Sequence, residues 1–290
     1  MTDGGETVKT VRGNMPNFKG RSMPGIVDQN ARVLDQFTQQ AEAYAALVNK
    51  SGTPLSAPLL DIIRPTAQDR VLDVGCGSGQ FAVAISALVA QVTGVDITPA
   101  MLDQARALQA MHAATNIEWI EADSANLPVR AGAFDLVISR SAFHHAAHPL
   151  GTLSEMRRAC AAGGRIAVLD LTPAPDKAAA FDAIELLRDP SHARALPIEN
   201  LRALGSELGL QEIAVHTHMS EMPIEMVLAT SFPPPGMLTR VRELYARDAA
   251  RGTDTFGLGA RFKDGQVWVS YPMTLVAWRR SPEIAQQAGA

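Results

Sequence analysis

An α/β fold, with a parallel sheet covered by helices on both faces, is what this sequence predicts, on three observations. Short, wholly apolar β-like runs alternate with helical stretches from residue 70 onward, the rhythm of strands buried on both faces. One apolar strand runs through a glycine-rich turn into a helix over residues 71–81, the usual way such sheets build a ligand site. Of 290 residues, 47% are hydrophobic and 19% charged, which is the composition of a folded chain with a sizeable core.

The elements follow in order. Residues 1–28 are polar, glycine-rich and unpatterned, and read as a flexible tail. From Asn30, Val33, Leu34, Phe37, Ala41, Tyr44 and Val48 recur at three- and four-residue spacing, the stripe of an amphipathic helix. Ser51-Gly52-Thr53-Pro54 should stop it, and a short helix through Leu59, Ile62 and Ile63 should end before Pro65. Residues 29–65 are thus an expected helical cap. Strands are then predicted at 70–74, 91–95, 117–120, 134–138 and 165–169, with helices at 79–90, 99–112 and 150–160 between them. Beyond Pro173 the rhythm loosens. Helices are predicted at 176–187 and 199–208, a strand at 210–216, and a Met- and Pro-rich insertion at 219–262 carrying a helix over 238–246. After the Asp264-Gly265 turn, residues 266–278 read as a long strand pair or bent strand. Residues 29–290 form one expected domain, with 219–262 as a lid or, equally, an apolar interface between two copies of the chain.

Charge and composition exclude some functions. Lys and Arg total 26 against 30 for Asp and Glu, a net charge of -4, so no global field favours nucleic acid or an anionic membrane. The longest apolar stretch, residues 81–95, is interrupted by Ser86, Gln91 and Thr93 and is too short to span a bilayer. The amino terminus lacks the apolar core of a signal peptide, and two cysteines, Cys76 and Cys160, make no disulfide framework. A cytoplasmic protein is the expectation.

The strongest chemical signal is Asp73-Val74-Gly75-Cys76-Gly77-Ser78-Gly79. Glycines there permit a tight turn and close approach of a ligand to the backbone, while the helix start offers unpaired N–H groups. Asp96 at the tip of the next strand suits the two hydroxyls of a ribose. Asp123 lies just past the third strand on the same edge. A dinucleotide turn wants glycine where Gln80 stands, and Asp73 would repel a pyrophosphate. An acid at that place suits a cofactor with an ammonium group and a positive centre, as S-adenosyl-L-methionine has.

These segments, together with Gly94-Val95-Asp96-Ile97-Thr98-Pro99-Ala100-Met101-Leu102, Glu121-Ala122-Asp123 and Phe134-Asp135-Leu136-Val137, resemble the successive motifs of class I S-adenosylmethionine-dependent methyltransferases. The small-molecule subgroup with the ubiquinone- and menaquinone-biosynthesis enzymes is the most similar in flavour. The resemblance covers roughly residues 35–172 and implies a Rossmann-like sheet of seven strands, mostly parallel, with the last antiparallel. It further implies that Gly75, Gly77 and Gly79 form the turn under the methionine part, whose amino group Asp73 helps hold. Asp96 would bind the ribose, Ile97 and Met101 the adenine face, and Asp123 with Ser124 or Ala125 the adenine amino group. Ser139 would face the methionine moiety. Phe37 and Tyr44 would cap the cofactor, where an aromatic face near a sulfonium is favourable, or else pack in the core.

Methyl transfer asks the protein to position an acceptor and exclude water, and a weakly acidic acceptor also needs a base. Arg140, His144 and His145 follow the fourth strand, and His192 lies in Arg188-Asp189-Pro190-Ser191-His192; these are the catalytic candidates, with helix capping as the alternative for each histidine. His144 and His148 lack the further partners of a metal site, so no metal is expected. The Asn/Asp-Pro-Pro-Tyr signature of nucleobase amino methylation is missing after the fourth strand, where Ser139-Arg140-Ser141-Ala142 stands. The expected activity is transfer of a methyl group to O or C of a small, largely apolar, aromatic or polyketide-like acceptor, with no nucleic-acid partner. A non-catalytic S-adenosylmethionine binder and an NAD(P)-dependent oxidoreductase are the rival readings.

Overall fold

The computed structural model describes residues 24–48 and 55–282. The expected tail up to residue 23 and the Ser51–Pro54 stop lie outside the described residues. Helix α1 spans Pro24–Val48, so residues 24–28, read from sequence as the end of the tail, are helical instead. Proline is well placed at a first helical position, where its missing N–H costs nothing. Helix α2 (Ala57–Ile63) follows.

The alternating core comes next: β1 (Arg70–Val74), α3 (Gln80–Ser86), β2 (Gln91–Asp96), α4 (Pro99–Met111), β3 (Ile117–Glu121), β4 (Phe134–Arg140), α5 (Pro149–Ala159) and β5 (Cys160–Leu171). After it run α6 (Ala178–Arg188), α7 (Ile198–Glu207), β6 (Gln211–Pro223), α8 (Ile224–Leu228), α9 (Met237–Arg251), β7 (Arg261–Lys263) and β8 (Gln266–Arg279). The strand order is β3-β2-β1-β4-β5-β8-β6. The first five are parallel neighbours, and β8 runs antiparallel to both β5 and β6. Seven long strands with the last antiparallel match the expectation, and β7 adds a short eighth that pairs with β8. Asp264 and Gly265 join those two with φ of 51° and 75°, the pair of positive values that a tight two-residue hairpin demands.

Alternate residues of each strand feed opposite faces. Leu72, Val137 and Val168 bury with Leu153 and Met156 of α5 and Leu201 of α7. Val71, Leu136 and Ala167 bury with Leu59 and Ile63 of α2 and Phe81 and Ile85 of α3. A third core joins Phe181 and Ile184 of α6 to Ile224, Val227, Val241 and Tyr245 of α8 and α9. Much of the apolar surface of 219–262 is thus buried within the chain, while Met219, Phe232 and Phe262 stay exposed.

Helix α7 lies so close to the sheet that a Cβ on Gly205 would stand 2.2 Å from Nε1 of the buried Trp278. Alanine in place of an exposed helical glycine gains about 1 kcal/mol. Here the clash should win, and Gly205→Ala should cost about 1–3 kcal/mol. Urea unfolding would check this; an unchanged or raised midpoint would contradict it.

Candidate functional site

The turn from β1 into α3 is built as its glycines require. Gly75, Gly77 and Gly79 have φ of 70°, 52° and 79°, which cost L-residues with a Cβ about 1–2 kcal/mol each. The Gly75 and Cys76 N–H groups both donate to the Val95 carbonyl, at 2.8 and 3.0 Å, pinning the turn to the end of β2. A Cβ on Gly75 would stand 2.5 Å from that of Ala142, so the loop after β4 presses directly on the turn.

Around this turn lies a cavity of about 320 Å³. Its wall includes Phe37 and Tyr44 from α1, Asp73, Gly75 and Gly77 from the turn, Asp96, Ile97 and Met101 from β2 and α4, Asp123, Ser124 and Ala125 after β3, and Ser139 and Arg140 at the end of β4. All but one of the expected cofactor residues thus meet. Gly79 does not line the cavity; a Cβ there would fall 2.7 Å from the Trp119 ring and 2.8 Å from Ala105 Cβ. That glycine lets α3 pack on its neighbours. No residue of the 219–262 segment is in the wall.

The three acids differ in their electrostatics. Asp96 accepts the Gly77 N–H at 2.8 Å and the Thr98 N–H at 2.9 Å, and burial lifts its pKa while those bonds pull it back. Asp123 accepts from the Ala125 N–H and from the Asn30 amide on α1, at 2.9 and 2.8 Å. Asp73 is 2% exposed and its Oδ2 has no hydrogen-bond partner. Burial pushes its pKa up to about 7, against the pull of Arg140. Arg140 lies over the Phe81 ring at 5.2 Å, and its Nε likewise lacks a partner.

The histidines divide. His145 lines the cavity, edge-on to Phe37 with ring centroids 4.9 Å apart. His144 and His192 are not in the wall. His144 Nδ1 lies 2.6 Å from Asp170 Oδ1, and the two side chains are only 10% and 5% exposed. Burial pulls the His144 pKa down, but the charge and hydrogen bond of Asp170 hold it above the ordinary value. His192 Nε2 lies 2.7 Å from Asp182, and its ring centroid is 5.6 Å from that of His144, the planes tilted by 36°. Arg188 bonds to Glu185 and Ser231 rather than facing the cavity. Among the described residues, no group of three or more His, Cys, Asp or Glu is placed to hold a metal ion.

Sequence reasoning missed Asn30, which reaches Asp123, and Gln29, whose amide donates to the His145 and Ser191 carbonyls at 3.1 and 2.6 Å. Asn30 lies one turn before Val33 on the Phe37–Tyr44 stripe, so the helical period itself could have flagged it. His148, from the same loop as His144 and His145, is also in the wall. No helix of the described residues is long and apolar enough to cross a membrane.

Comparison with known proteins places part of this chain in a family. Residues 72–168 match the family model described as a methyltransferase domain. An uncharacterized Mycobacterium tuberculosis protein is 37% identical over 130 residues, which are 45% of this chain and 47% of that protein. The uncharacterized methyltransferase YcgJ of Bacillus subtilis is 30% identical over 51% of this chain and 60% of its own. The YcgJ crystal structure superposes with a TM-score of 0.68 at 21% identity, covering 76% of this chain and 94% of that one. The aklanonic acid methyltransferase DauC of Streptomyces is 31% identical over 47% of this chain and 63% of its own. The chain thus spans about half to two thirds of the length of these curated relatives. Residues 72–168 are a methyltransferase domain, set in the Rossmann-like fold of the class I S-adenosylmethionine-dependent methyltransferases.

Proposed function

We propose that this chain binds S-adenosylmethionine in the cavity and transfers its methyl group to O or C of a small, largely apolar acceptor. The unpartnered Asp73 carboxylate carries the reading. A buried acid without a hydrogen bond is costly, and a ligand ammonium group relieves that cost at this oxygen. Arg140, electrostatically coupled to Asp73 yet not bonded to it, supplies the complementary charge for a carboxylate. An amino-acid end, with both charges on one carbon, fits the pair. Asp96 is placed for ribose hydroxyls, and Asp123 with Asn30 for an adenine edge. When bound, the cofactor supplies an electrophilic methyl on a positively charged sulfur.

The chain's own share is orientation and exclusion of water. Helix α1 closes the cavity with Val33, Phe37 and Tyr44. Phe143, Ala146 and Ala147 add apolar surface on the β4 side, which favours an apolar acceptor. The relative named for aklanonic acid supports a small organic molecule as acceptor.

A thermal-shift comparison of S-adenosylmethionine, S-adenosylhomocysteine, NAD and NADP tests the cofactor. A ligand at a hundred times its Kd adds about 2.7 kcal/mol, which at roughly 2–4 °C per kcal/mol is several degrees. The expected result is a shift with the two sulfur nucleosides alone. A shift with NAD or NADP and none with S-adenosylhomocysteine would overturn the proposal.

A further inference from the structure

In the motif Arg188-Asp189-Pro190-Ser191-His192, neither Arg188 nor the candidate His192 lines the cavity. Instead, its other two polar residues hold His145. His145 Nδ1 lies 2.9 Å from the Ser191 carbonyl oxygen and 3.1 Å from Ser191 Oγ. Ser191 Oγ is itself 2.5 Å from Asp189 Oδ1, which also accepts the Ser191 N–H at 2.9 Å. All three are buried.

The donors and acceptors can be assigned without ambiguity. A carbonyl oxygen only accepts. The Ser191 hydroxyl spends its one proton on the Asp189 carboxylate, so toward His145 it also only accepts. Both contacts therefore require a proton on Nδ1. Burial and the neighbouring His144 press the His145 pKa down to about 3, so the ring carries one proton, not two. The groups around it are the Phe37 ring from α1, the His144 ring at 4.1 Å, and Asp189 and His192 from the loop after α6. The nitrogen left for a ligand is Nε2, on a ring that lines the cavity.

From this geometry we infer that Asp189 and Ser191 are positioning residues that lock His145 as the Nδ1–H tautomer, so that its Nε2 lone pair receives a hydroxyl of the methyl acceptor. The inference rests on the proposed methyl transfer and narrows it to acceptors that present an O–H. A ring this hard to protonate orients the hydroxyl rather than ionising it beforehand. As the oxygen takes its methyl from the sulfonium, the O–H bond breaks and the Nε2–H bond forms. The positive charge lost by sulfur then rests on the ring, facing Asp189 through Ser191.

Long-range proton–nitrogen NMR of the imidazoles in the ¹⁵N-labelled full chain tests this, with His145→Gln assigning the signals. The wild type should show protonated Nδ1 and bare Nε2 across roughly pH 5 to 8. In Asp189→Ala the Ser191 hydroxyl loses its acceptor and is released to donate to Nδ1, and a mixture of tautomers should appear. Ser191→Ala keeps only the carbonyl and should retain the wild-type tautomer. A wild type protonated at Nε2, or an Asp189→Ala spectrum identical to wild type, would overturn the assignment. With S-adenosylhomocysteine bound, phenol should move the Nε2 resonance and anisole, which lacks the O–H, should not; any other pattern sinks the hydroxyl reading. S-adenosylhomocysteine affinity, measured alongside, reports on the cofactor alone, so failure of methyl transfer and failure of the tautomer lock are separable.

Discussion

Asp73→Asn is expected to make the ligand-free protein more stable at about pH 8 while weakening S-adenosylhomocysteine binding roughly tenfold to a hundredfold. The Asp73 pKa is raised from 3.8 to about 7 by burial. Between those two values the unfolded chain has lost the proton and the folded chain still holds it. Stability therefore falls as pH rises through this window, and the loss is complete above about 7. The full penalty is of order 4 kcal/mol. Asparagine stays neutral but is itself left short of partners, at a cost of about 1–3 kcal/mol, so the net gain should be about 1–3 kcal/mol at pH 8 and vanish near pH 5. Binding moves the other way, because a hydrogen bond between charged groups is worth about 1.5–3 kcal/mol. Thermal melts of both proteins across pH, with calorimetric titration of S-adenosylhomocysteine, measure both effects. A stability difference that does not change with pH would remove the electrostatic explanation.

Arg188→Ala should unfold the molecule far more readily without any direct effect on cavity residues. Glu185 has no exposed surface. It is held by Arg188 through Nε and Nη2 and by the Tyr271 hydroxyl at 3.0 Å. Removing one partner of a buried ion pair costs about 3–5 kcal/mol, since the other charge stays buried alone. At roughly 2–4 °C per kcal/mol, Tm should fall by about 10 °C. Glu185→Leu combined with Arg188→Met should recover most of that loss, because a packed apolar pair is often no worse than the ion pair it replaces. Chemical denaturation of the wild type and both variants decides it; equal losses in the single and the double variant would mean that packing, not charge, holds this corner.

The parts of this molecule that sequence revealed are those whose information is local. An apolar run ending in three glycines states its own turn and the helix after it, and the acids at strand tips follow once the strands are placed. The stripe from Val33 to Tyr44 gave the capping helix, although its start at Pro24 did not show in Gly25-Ile26-Val27. What escaped is set by pairing across the chain. Strand β6 runs on to Pro223 because Met219 to Pro223 pair with Trp268 to Pro272, far away in sequence; alone they read as the start of the Met- and Pro-rich insertion. The histidines show the same limit at a smaller scale. The short 3-10 turn at Phe143–His145 sends adjacent imidazoles to different environments, and only His145 reaches the cavity. Neither residue type nor spacing could have told them apart, or shown that Ser191 would be the partner.

The place of β8 has a consequence for how the protein is made. This strand, near the end of the chain, inserts between β5 and β6. Both neighbours leave the ribosome earlier, and at roughly 5–20 residues per second they precede β8 by several seconds. During that interval β5 and β6 each present a bare edge, and exposed edges recruit other chains. The glycine turn, by contrast, rests on β1, β2, α3 and β4 with the loop after it, all made before β5. In translation, then, the half of the sheet that carries the glycine turn can settle first, and the hazard of aggregation is concentrated in the brief span before β8 closes the sheet.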